Sequence, residues 1–215
     1  MKVYESTADA LRSITQQTSH GYTCWITFQI REDKLAGLKK KFAEVYGSEE
    51  PAHRRQSRVK KNIPNAVVLS APARALPGIF DVILLATPNA RKQHADSVWA
   101  KEAWRTDPVR FSRYCQKRVT SIGKNDLVMS WIIEPGELAS LNTYLETILK
   151  TNPGQYHRAV ETMIHANPMV NGIRKQLRKM LRSHQAGCRR IGKQYPSTIN
   201  PDNLPYTKLI GKAIA

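Results

Sequence analysis

The chain has 215 residues, of which 41% are hydrophobic and 24% are charged, proportions that are ordinary for a globular protein. Its charge balance is unusual, because 34 Lys and Arg face 17 Asp and Glu and give a formal net charge of +17 at pH 7; such an excess predicts a polyanionic partner, most often nucleic acid. No apolar run approaches the ~20 residues of a membrane span, and the first residues lack the apolar core of a secretory signal. We therefore expect a cytoplasmic protein without a membrane partner.

The residue types that bind metals or close disulfides are sparse and scattered. Cys24, Cys115 and Cys188 are odd in number and far apart, which argues against a disulfide framework and a zinc knuckle. The histidines form no close pair on a predicted strand, and there is no glycine-rich phosphate loop. We expect no cofactor and no metal site.

The first fifty residues predict a helix, a strand and a second helix. Residues 4–17 are typical of a short polar helix, and residues 21–30 are rich in β-branched and aromatic side chains, which favours a strand. Residues 32–47 have apolar residues at helical spacing and end at Gly47, a typical residue after a helix C-terminus. The predicted buried face of this helix consists of Leu35, Leu38, Phe42 and Val45.

A basic segment follows at residues 51–64, which we interpret as an exposed loop or hairpin arm. No acidic residue occurs between Pro51 and Phe80. Such a segment either clamps phosphates or is a disordered arm. Its candidate nucleic-acid contacts are Arg54, Arg55, Arg58, Lys60 and Lys61.

The central part of the chain predicts three more strands, at residues 65–73, 78–87 and 126–135. The first two are nearly continuous apolar runs, as expected for strands buried on both faces. Helical spacing lies between and after them, at residues 96–104, 107–119 and 136–150.

The order β-α-β-β-α-β favours an α+β fold of the ferredoxin-like kind, with a four-stranded antiparallel sheet and helices on one face. We expect a core domain at residues 1–151 and a basic helical extension at residues 152–215. The aromatic residues of the predicted strands (Tyr22, Trp25, Phe28 and Trp131) are expected in the core, with base stacking as the alternative.

The extension contains the strongest functional signal, since no acidic residue occurs between Thr162 and Pro201. Helices are predicted at residues 156–166 and 172–193. On the second, the expected buried stripe is Ile173, Leu177, Met180 and Leu181, with His184 as a further candidate. The cations on the other side can follow a phosphate backbone: Arg174, Lys175, Arg178, Lys179, Arg182, Arg189 and Arg190.

Three ordered motifs resemble those of HUH endonucleases, the rolling-circle replication initiators and relaxases. Residues 24–30 are similar to the first family strand, residues 80–87 occupy the place of its histidine-bearing strand, and Tyr114 with Lys117 matches its Tyr-x-x-Lys helix. The resemblance covers roughly residues 20–135 and implies a DNA partner. In that family two histidines hold a metal and the tyrosine attacks DNA, whereas Phe80, Asp81 and Val82 stand here instead.

Because the histidines are absent, we predict no catalytic residue; the remaining candidates would be Tyr114, Lys117 and Asp81. We expect Tyr114 to lie on a basic helix flank and not to act as a nucleophile. An unassisted phenol, with a pKa near ~10, is almost wholly protonated at neutral pH. The flanking cations are candidate phosphate contacts: Arg110, Arg113, Lys117 and Arg118.

The expected function is nucleic-acid binding, with DNA preferred over RNA, as a replication or transfer accessory factor of a mobile genetic element. One alternative is an active nuclease, either a DNA-nicking enzyme or a metal-independent RNA-processing enzyme of the CRISPR type. Another is a structural subunit of a ribonucleoprotein. Other proteins of a nucleoprotein complex are further expected partners.

Overall fold

The computed structural model describes residues 1–74, 76–88, 108–120 and 127–206. The described residues form an α+β structure with seven strands and six α-helices. They divide into two compact units, Met1–Ser112 and the part from Arg113 onward. The domain boundary predicted after residue 151 lies inside the second unit. That the residues on its two sides fold as separate domains stays a prediction.

The first unit contains five strands and three helices in its described part. They are β1 (Lys2–Val3), α1 (Thr7–Ser19), β2 (Cys24–Arg31), α2 (Leu35–Tyr46), α3 (Ala52–Lys60), β3 (Ala66–Pro72), β4 (Ile79–Ala86) and β5 (Arg110–Phe111).

The sheet of the first unit is mixed, with the strand order β1-β3-β4-β2. Strand β4 pairs antiparallel with both neighbours, Cys24 and Ala66 each lying opposite Ala86. Strand β1 runs parallel to β3, with Lys2 opposite Leu69. The predicted antiparallel, ferredoxin-like sheet is therefore matched only in part, because β2, β4 and β3 are antiparallel whereas β1 is parallel to β3. A two-residue strand has no alternation to detect, and single-sequence patterns do not tell which strands pair.

The apolar strands β3 and β4 are buried on both faces, as predicted. Val82 and Leu84 pack with Leu35 and Phe42 of α2 in one core cluster, and Ile83 and Leu85 on the opposite face are completely buried. The expectation of helices covering one face only does not describe this sheet, because neither face of β4 is left to solvent.

Local sequence signals place α1 and α2 close to their predicted positions. Helix α1 begins after Ser6, whose hydroxyl accepts a hydrogen bond from the backbone N–H of Asp9 at 3.2 Å. Helix α2 ends at Tyr46, and Gly47 follows its C-terminus as predicted, in the left-handed conformation with φ of 62°. Leu35 and Phe42 of the predicted face are buried, whereas Val45 is 47% exposed.

The segment predicted as a basic loop is instead helix α3, and that prediction is wrong. It consists mostly of residues with good helix propensity but has no apolar stripe for a periodicity argument to find. Arg58 lies in the last turn of α3, and its guanidinium donates from Nε and Nη2 to the carbonyl of Pro64, which lies beyond the helix, at 3.1 and 2.7 Å. Arg58 therefore fixes the turn after the helix, a contact that depends on the folded chain.

The second unit combines a strand pair with three helices. Its elements are β6 (Tyr114–Thr120), β7 (Leu127–Ile133), α4 (Pro135–Thr151), α5 (Tyr156–His165) and α6 (Asn171–Arg190). Strands β6 and β7 are antiparallel, with Tyr114 opposite Ile133. The side chain of Gln176 on α6 accepts from the N–H of Ile133 at 2.7 Å and donates to its carbonyl at 2.9 Å. The helix thus attaches to β7 through backbone groups of the strand.

Residues 107–119 were predicted as a helix, and this prediction is wrong where the structure describes them, because β5 and β6 occupy residues 110–111 and 114–120. Pairing with β7 satisfies the backbone of β6 in a way that local spacing cannot reveal. The predicted strand at 126–135 corresponds to β7, and the helices predicted at 136–150, 156–166 and 172–193 correspond to α4, α5 and α6. The helix predicted at 96–104 lies outside the described residues.

None of the helices in the described ranges combines the length and the apolar character needed to cross a bilayer.

Candidate nucleic-acid interface

Helix α6 has the buried stripe predicted for it. Ile173, Leu177 and Leu181 are completely buried, and Met180 and His184 are 7% and 5% exposed. The stripe fixes which side of the helix is available to a partner, because the cations of α6 lie on the remaining surface.

Three of the predicted cations on α6 are used within the protein. Arg174 donates to the Leu204 carbonyl at 2.7 Å, and Arg178 donates to the carbonyls of Pro201 and Asp202 at 3.2 and 2.8 Å. Arg182 forms an ion pair of 2.5 Å with the Asp202 carboxylate. We call residues 201–206 the closing segment.

The closing segment changes the interpretation of this helix face. Pro201 and Leu204 of the segment are buried, and the Arg174 guanidinium lies 5.4 Å from the Tyr206 ring centroid. Some of the basic residues expected to face a phosphate backbone therefore already contact groups of the closing segment. Lys175 is half-buried and Lys179 is exposed.

A second group of cations lies around the last turn of α6. Lys150, Arg189, Arg190 and Lys193 are all exposed, and we call these four residues the end cluster. Within the part of the chain that the structure describes, none of the four forms an ion pair. Arg189 and Arg190 were predicted as contacts, whereas Lys150 and Lys193 were not, since only the fold brings the end of α4 beside the end of α6.

A cavity of about 410 Å³ lies between the ends of α4 and α6 and the chain that follows α6. Three members of the end cluster line it together with polar and apolar groups from both helices. We call it the α4–α6 cavity; its lining residues are Glu146, Leu149, Lys150, Pro153, Ser183, His184, Gly187, Cys188, Arg190, Ile191, Lys193, Gln194 and Pro196.

His184 belongs to a hydrogen-bonded chain of buried polar groups beside this cavity. Its Nδ1 lies 2.6 Å from the Tyr156 hydroxyl, and its Nε2 lies 3.0 Å from Oδ1 of Asn142. The Asn142 amide donates to Glu146 Oε1 at 2.8 Å, so its oxygen faces His184 and the Nε2 position carries the proton. Nδ1 then accepts from Tyr156, whose oxygen lies 3.2 Å from the Tyr195 hydroxyl.

The environment of this chain keeps the histidine neutral. Burial lowers the pKa of His184 below its ordinary value of 6.5, and the nearby Glu146 carboxylate opposes that shift only partly. Burial also raises the pKa of Tyr156 and of Tyr195 above the usual range of a phenol. Both nitrogens of His184 are engaged, which gives this histidine a structural role instead of that of a general base.

Helix α3 carries the second group of predicted contacts, in the first unit. Arg54 pairs with the Glu50 carboxylate at 3.7 Å, and Arg58 is used at the Pro64 carbonyl. Arg55 is half-buried, and its carbonyl accepts from the Asn65 amide at 3.0 Å. Lys60 and Lys61 are exposed at the C-terminal end of the helix.

The Tyr114 side chain is buried, 2% exposed. Its hydroxyl donates to Oδ1 of Asn167 at 3.1 Å and lies 3.2 Å from Nε of Arg113. Because Tyr114 and Lys117 are on strand β6 and not on a helix, their side chains point to opposite faces. The predicted placement on a helix flank is wrong, and the Tyr-x-x-Lys spacing does not bring the phenol and the ammonium group together.

The remaining candidates are dispersed. Asp81 is 6% exposed and its carboxylate accepts from the Gln29 amide across the sheet at 2.9 Å. Arg110 and Arg118 are exposed, and Arg113 donates to the carbonyl of Ala166 at 3.1 Å. Among the residues that the structure describes, no group of three or more His, Cys, Asp and Glu side chains is arranged to hold a metal ion.

Comparison of the chain with protein-family models, with curated protein sequences and with solved structures finds no match in any of the three.

Proposed function

We propose that this protein binds nucleic acid through the end cluster of the second unit. The observation that carries the proposal is the concentration of four exposed cations, Lys150, Arg189, Arg190 and Lys193, without ion-pair partners in the described chain. Uncompensated cations neutralise phosphates and release counterions, which favours binding. The formal net charge of +17 also favours binding to a polyanion.

Charge pairing explains why the end cluster is preferred over the rest of α6. Around Arg174, Arg178 and Arg182 the chain supplies its own acceptors, the closing-segment carbonyls and the Asp202 carboxylate. A phosphate would have to replace these groups before it could bind. At the end cluster no such replacement is needed, so a phosphate gains the full interaction.

We further propose DNA as the preferred polymer and a replication or transfer accessory role in a mobile genetic element. These two points rest on the sequence alone, on its charge and on the resemblance to HUH proteins. The sites of cleavage chemistry in that family have no counterpart among the described residues, since Tyr114 is buried and Asp81 is paired with Gln29. Binding without cleavage is accordingly the form in which we propose the function.

The test is a set of binding titrations with single-stranded DNA, duplex DNA and structured RNA at several salt concentrations. Replacing Arg189, Arg190 and Lys193 by Ala should weaken binding and reduce the salt slope by about 2 to 3, at ~0.7 to 0.9 for each lost phosphate contact. The matched control replaces Lys39, Lys40 and Lys41, three exposed lysines of α2, and removes the same charge.

An equal loss of affinity in both triple variants would show a diffuse charge effect and would contradict an interface at the end cluster. Tighter binding to structured RNA than to either DNA would contradict the preference for DNA and favour the ribonucleoprotein alternative.

A further inference from the structure

The α4–α6 cavity is lined by charges of both signs. Glu146 supplies a carboxylate, and Lys150, Arg190 and Lys193 supply cations. The Glu146 carboxylate lies 3.8 Å from Nε2 of His184, and Arg190 follows His184 by six positions, about 9 Å along the helix axis. A ligand that fills the cavity therefore meets the Glu146 carboxylate, which can accept hydrogen bonds, and the cations of Lys150, Arg190 and Lys193.

Part of the cavity lining is apolar. Leu149 and Pro153 come from α4 and the turn after it, and Ile191 and Pro196 come from the chain after α6. Ile191 is 67% exposed and is therefore accessible to a ligand. The volume of about 410 Å³ lies in the range of small-ligand pockets, about 300 to 1,000 Å³.

Gly187 shows that helix α6 gives up stability at this cavity. Glycine in a helix interior is less favourable than alanine by about 1 kcal/mol. At Gly172 of the same helix, glycine is needed for a steric reason, since a Cβ would lie 2.4 Å from the Trp131 carbonyl oxygen. At Gly187 a Cβ would meet nothing within 4 Å, yet the residue lines the cavity. The missing side chain leaves the cavity open.

We propose that the α4–α6 cavity holds one unpaired nucleotide of a nucleic-acid strand, an inference that rests on the proposed function. The base lies between the apolar walls of Leu149 and Ile191, with its amino edge toward the Glu146 carboxylate, which can accept from an exocyclic amine. The phosphate lies at Arg190 and Lys193. Arg189, exposed next to the cavity, takes the neighbouring phosphate of the same strand.

The polarity of the cavity argues for a nucleotide over a bare anion or a metal ion. An inorganic phosphate would contact only the cations and would leave the apolar lining residues uncovered. A cation would be repelled by Lys150, Arg190 and Lys193. A nucleotide combines a flat apolar body with a donor edge and an anionic end, which matches the three parts of the lining.

The decisive variant is Gly187→Leu, which places a side chain into the cavity from a position where an added Cβ meets nothing within 4 Å. Because leucine is the better helix former, the melting temperature should be equal to or above that of the wild type. Gly187→Ala is the small-volume control. Gly37→Leu on α2 makes the same change at another helical glycine with nothing within 4 Å.

The probes are a single-stranded oligonucleotide, a blunt duplex of the same sequence and the free nucleoside 5′-monophosphates. Gly187→Leu should lose about tenfold in affinity for the single strand and nothing for the blunt duplex. A tenfold loss is about 1.4 kcal/mol, which corresponds to roughly 55 Å² of apolar base surface left uncovered at ~25 cal/mol per Å². Gly187→Ala should lose less affinity than Gly187→Leu, and Gly37→Leu should bind like the wild type.

Each outcome decides between the two proposals. Wild-type affinity of Gly187→Leu for the single strand would overturn the cavity inference and leave nucleic-acid binding standing. If free monophosphates bind as tightly as the oligonucleotide, the occupant is a free nucleotide and the strand assignment is wrong. If the wild type binds none of the polymers, both proposals fail together.

Discussion

The closing segment should make a measurable contribution to stability through Arg174 and Arg178. Replacing both by Ala removes three hydrogen bonds to backbone carbonyls, with lengths of 2.7, 2.8 and 3.2 Å. Hydrogen bonds from a charged donor contribute about 1.5 to 3 kcal/mol when buried, but the Arg178 side chain is 26% exposed. About 1 kcal/mol for each bond is then appropriate, ~3 kcal/mol in all.

The ion pair with Asp202 adds little to this figure, because the Arg182 and Asp202 side chains are 57% and 55% exposed. For a chain of 215 residues, a loss of ~3 kcal/mol corresponds to a fall in melting temperature of about 6 to 12 °C. Differential scanning calorimetry measures that fall, and amide hydrogen exchange reports whether residues 201–206 have detached from α6.

The matched control is the double change Arg189→Ala and Arg190→Ala, on the same helix and with the same loss of charge. It should cost only a few tenths of a kcal/mol, from the lost interaction with the helix dipole. The two double variants should thus separate the two roles: the first lowers stability and the second lowers nucleic-acid affinity. Equal melting temperatures would refute the view that the arginines hold the closing segment.

Three further predictions concern the buried polar groups and the helix contact. The pKa of His184 is lower in the folded protein than in the unfolded chain. The contribution of neutral His184 to stability is therefore complete above about pH 6.5 and is lost as the pH falls toward the folded pKa. Thermal unfolding across this pH range measures the loss. Gly172→Ala should cost about 1 to 3 kcal/mol, because its Cβ would overlap the Trp131 carbonyl. Tyr114→Phe should cost about 1 to 3 kcal/mol for two lost hydrogen bonds, to Asn167 and from Arg113, and should change no DNA cleavage or covalent adduct formation.

Their controls follow from the same contacts. His157→Gln changes a half-exposed histidine of the same unit, and a pH dependence that persists in His184→Gln but vanishes in His157→Gln would reassign the effect. Gly187→Ala is the unobstructed counterpart of Gly172→Ala and should be neutral or stabilising. A protein–DNA adduct, formed with Mg²⁺ or Mn²⁺ and absent in Tyr114→Phe, would favour the nuclease alternative.

The elements with regular periodicity could be predicted from the sequence. The stripe Ile173, Leu177 and Leu181 on α6 and the apolar runs of β3 and β4 are buried as their spacing indicates. Gly47 also follows the C-terminus of α2 as predicted. Such signals are local, because a helix buried on one side and a strand buried on both faces each require a characteristic spacing of apolar residues.

Tertiary contacts decided what the local patterns could not. Residues 114–120 form a strand because β7 pairs with them, and α3 is a helix without an apolar stripe. The candidate site depends on the fold in the same way. A sequence shows that Arg178 and Arg190 are both basic, but only the path of the closing segment gives Arg178 internal acceptors and leaves Arg190 at the cavity.

The sequence by itself therefore determined the net charge, the apolar faces and most helix positions. The tertiary structure decided which strands pair and which cations are neutralised. The physical reason is the range of the interactions: periodicity and caps act within a few residues, whereas an ion pair or a cavity joins side chains that are distant in the chain. Glu146 and Arg190, which are 44 positions apart in the chain and line the same cavity, are an example.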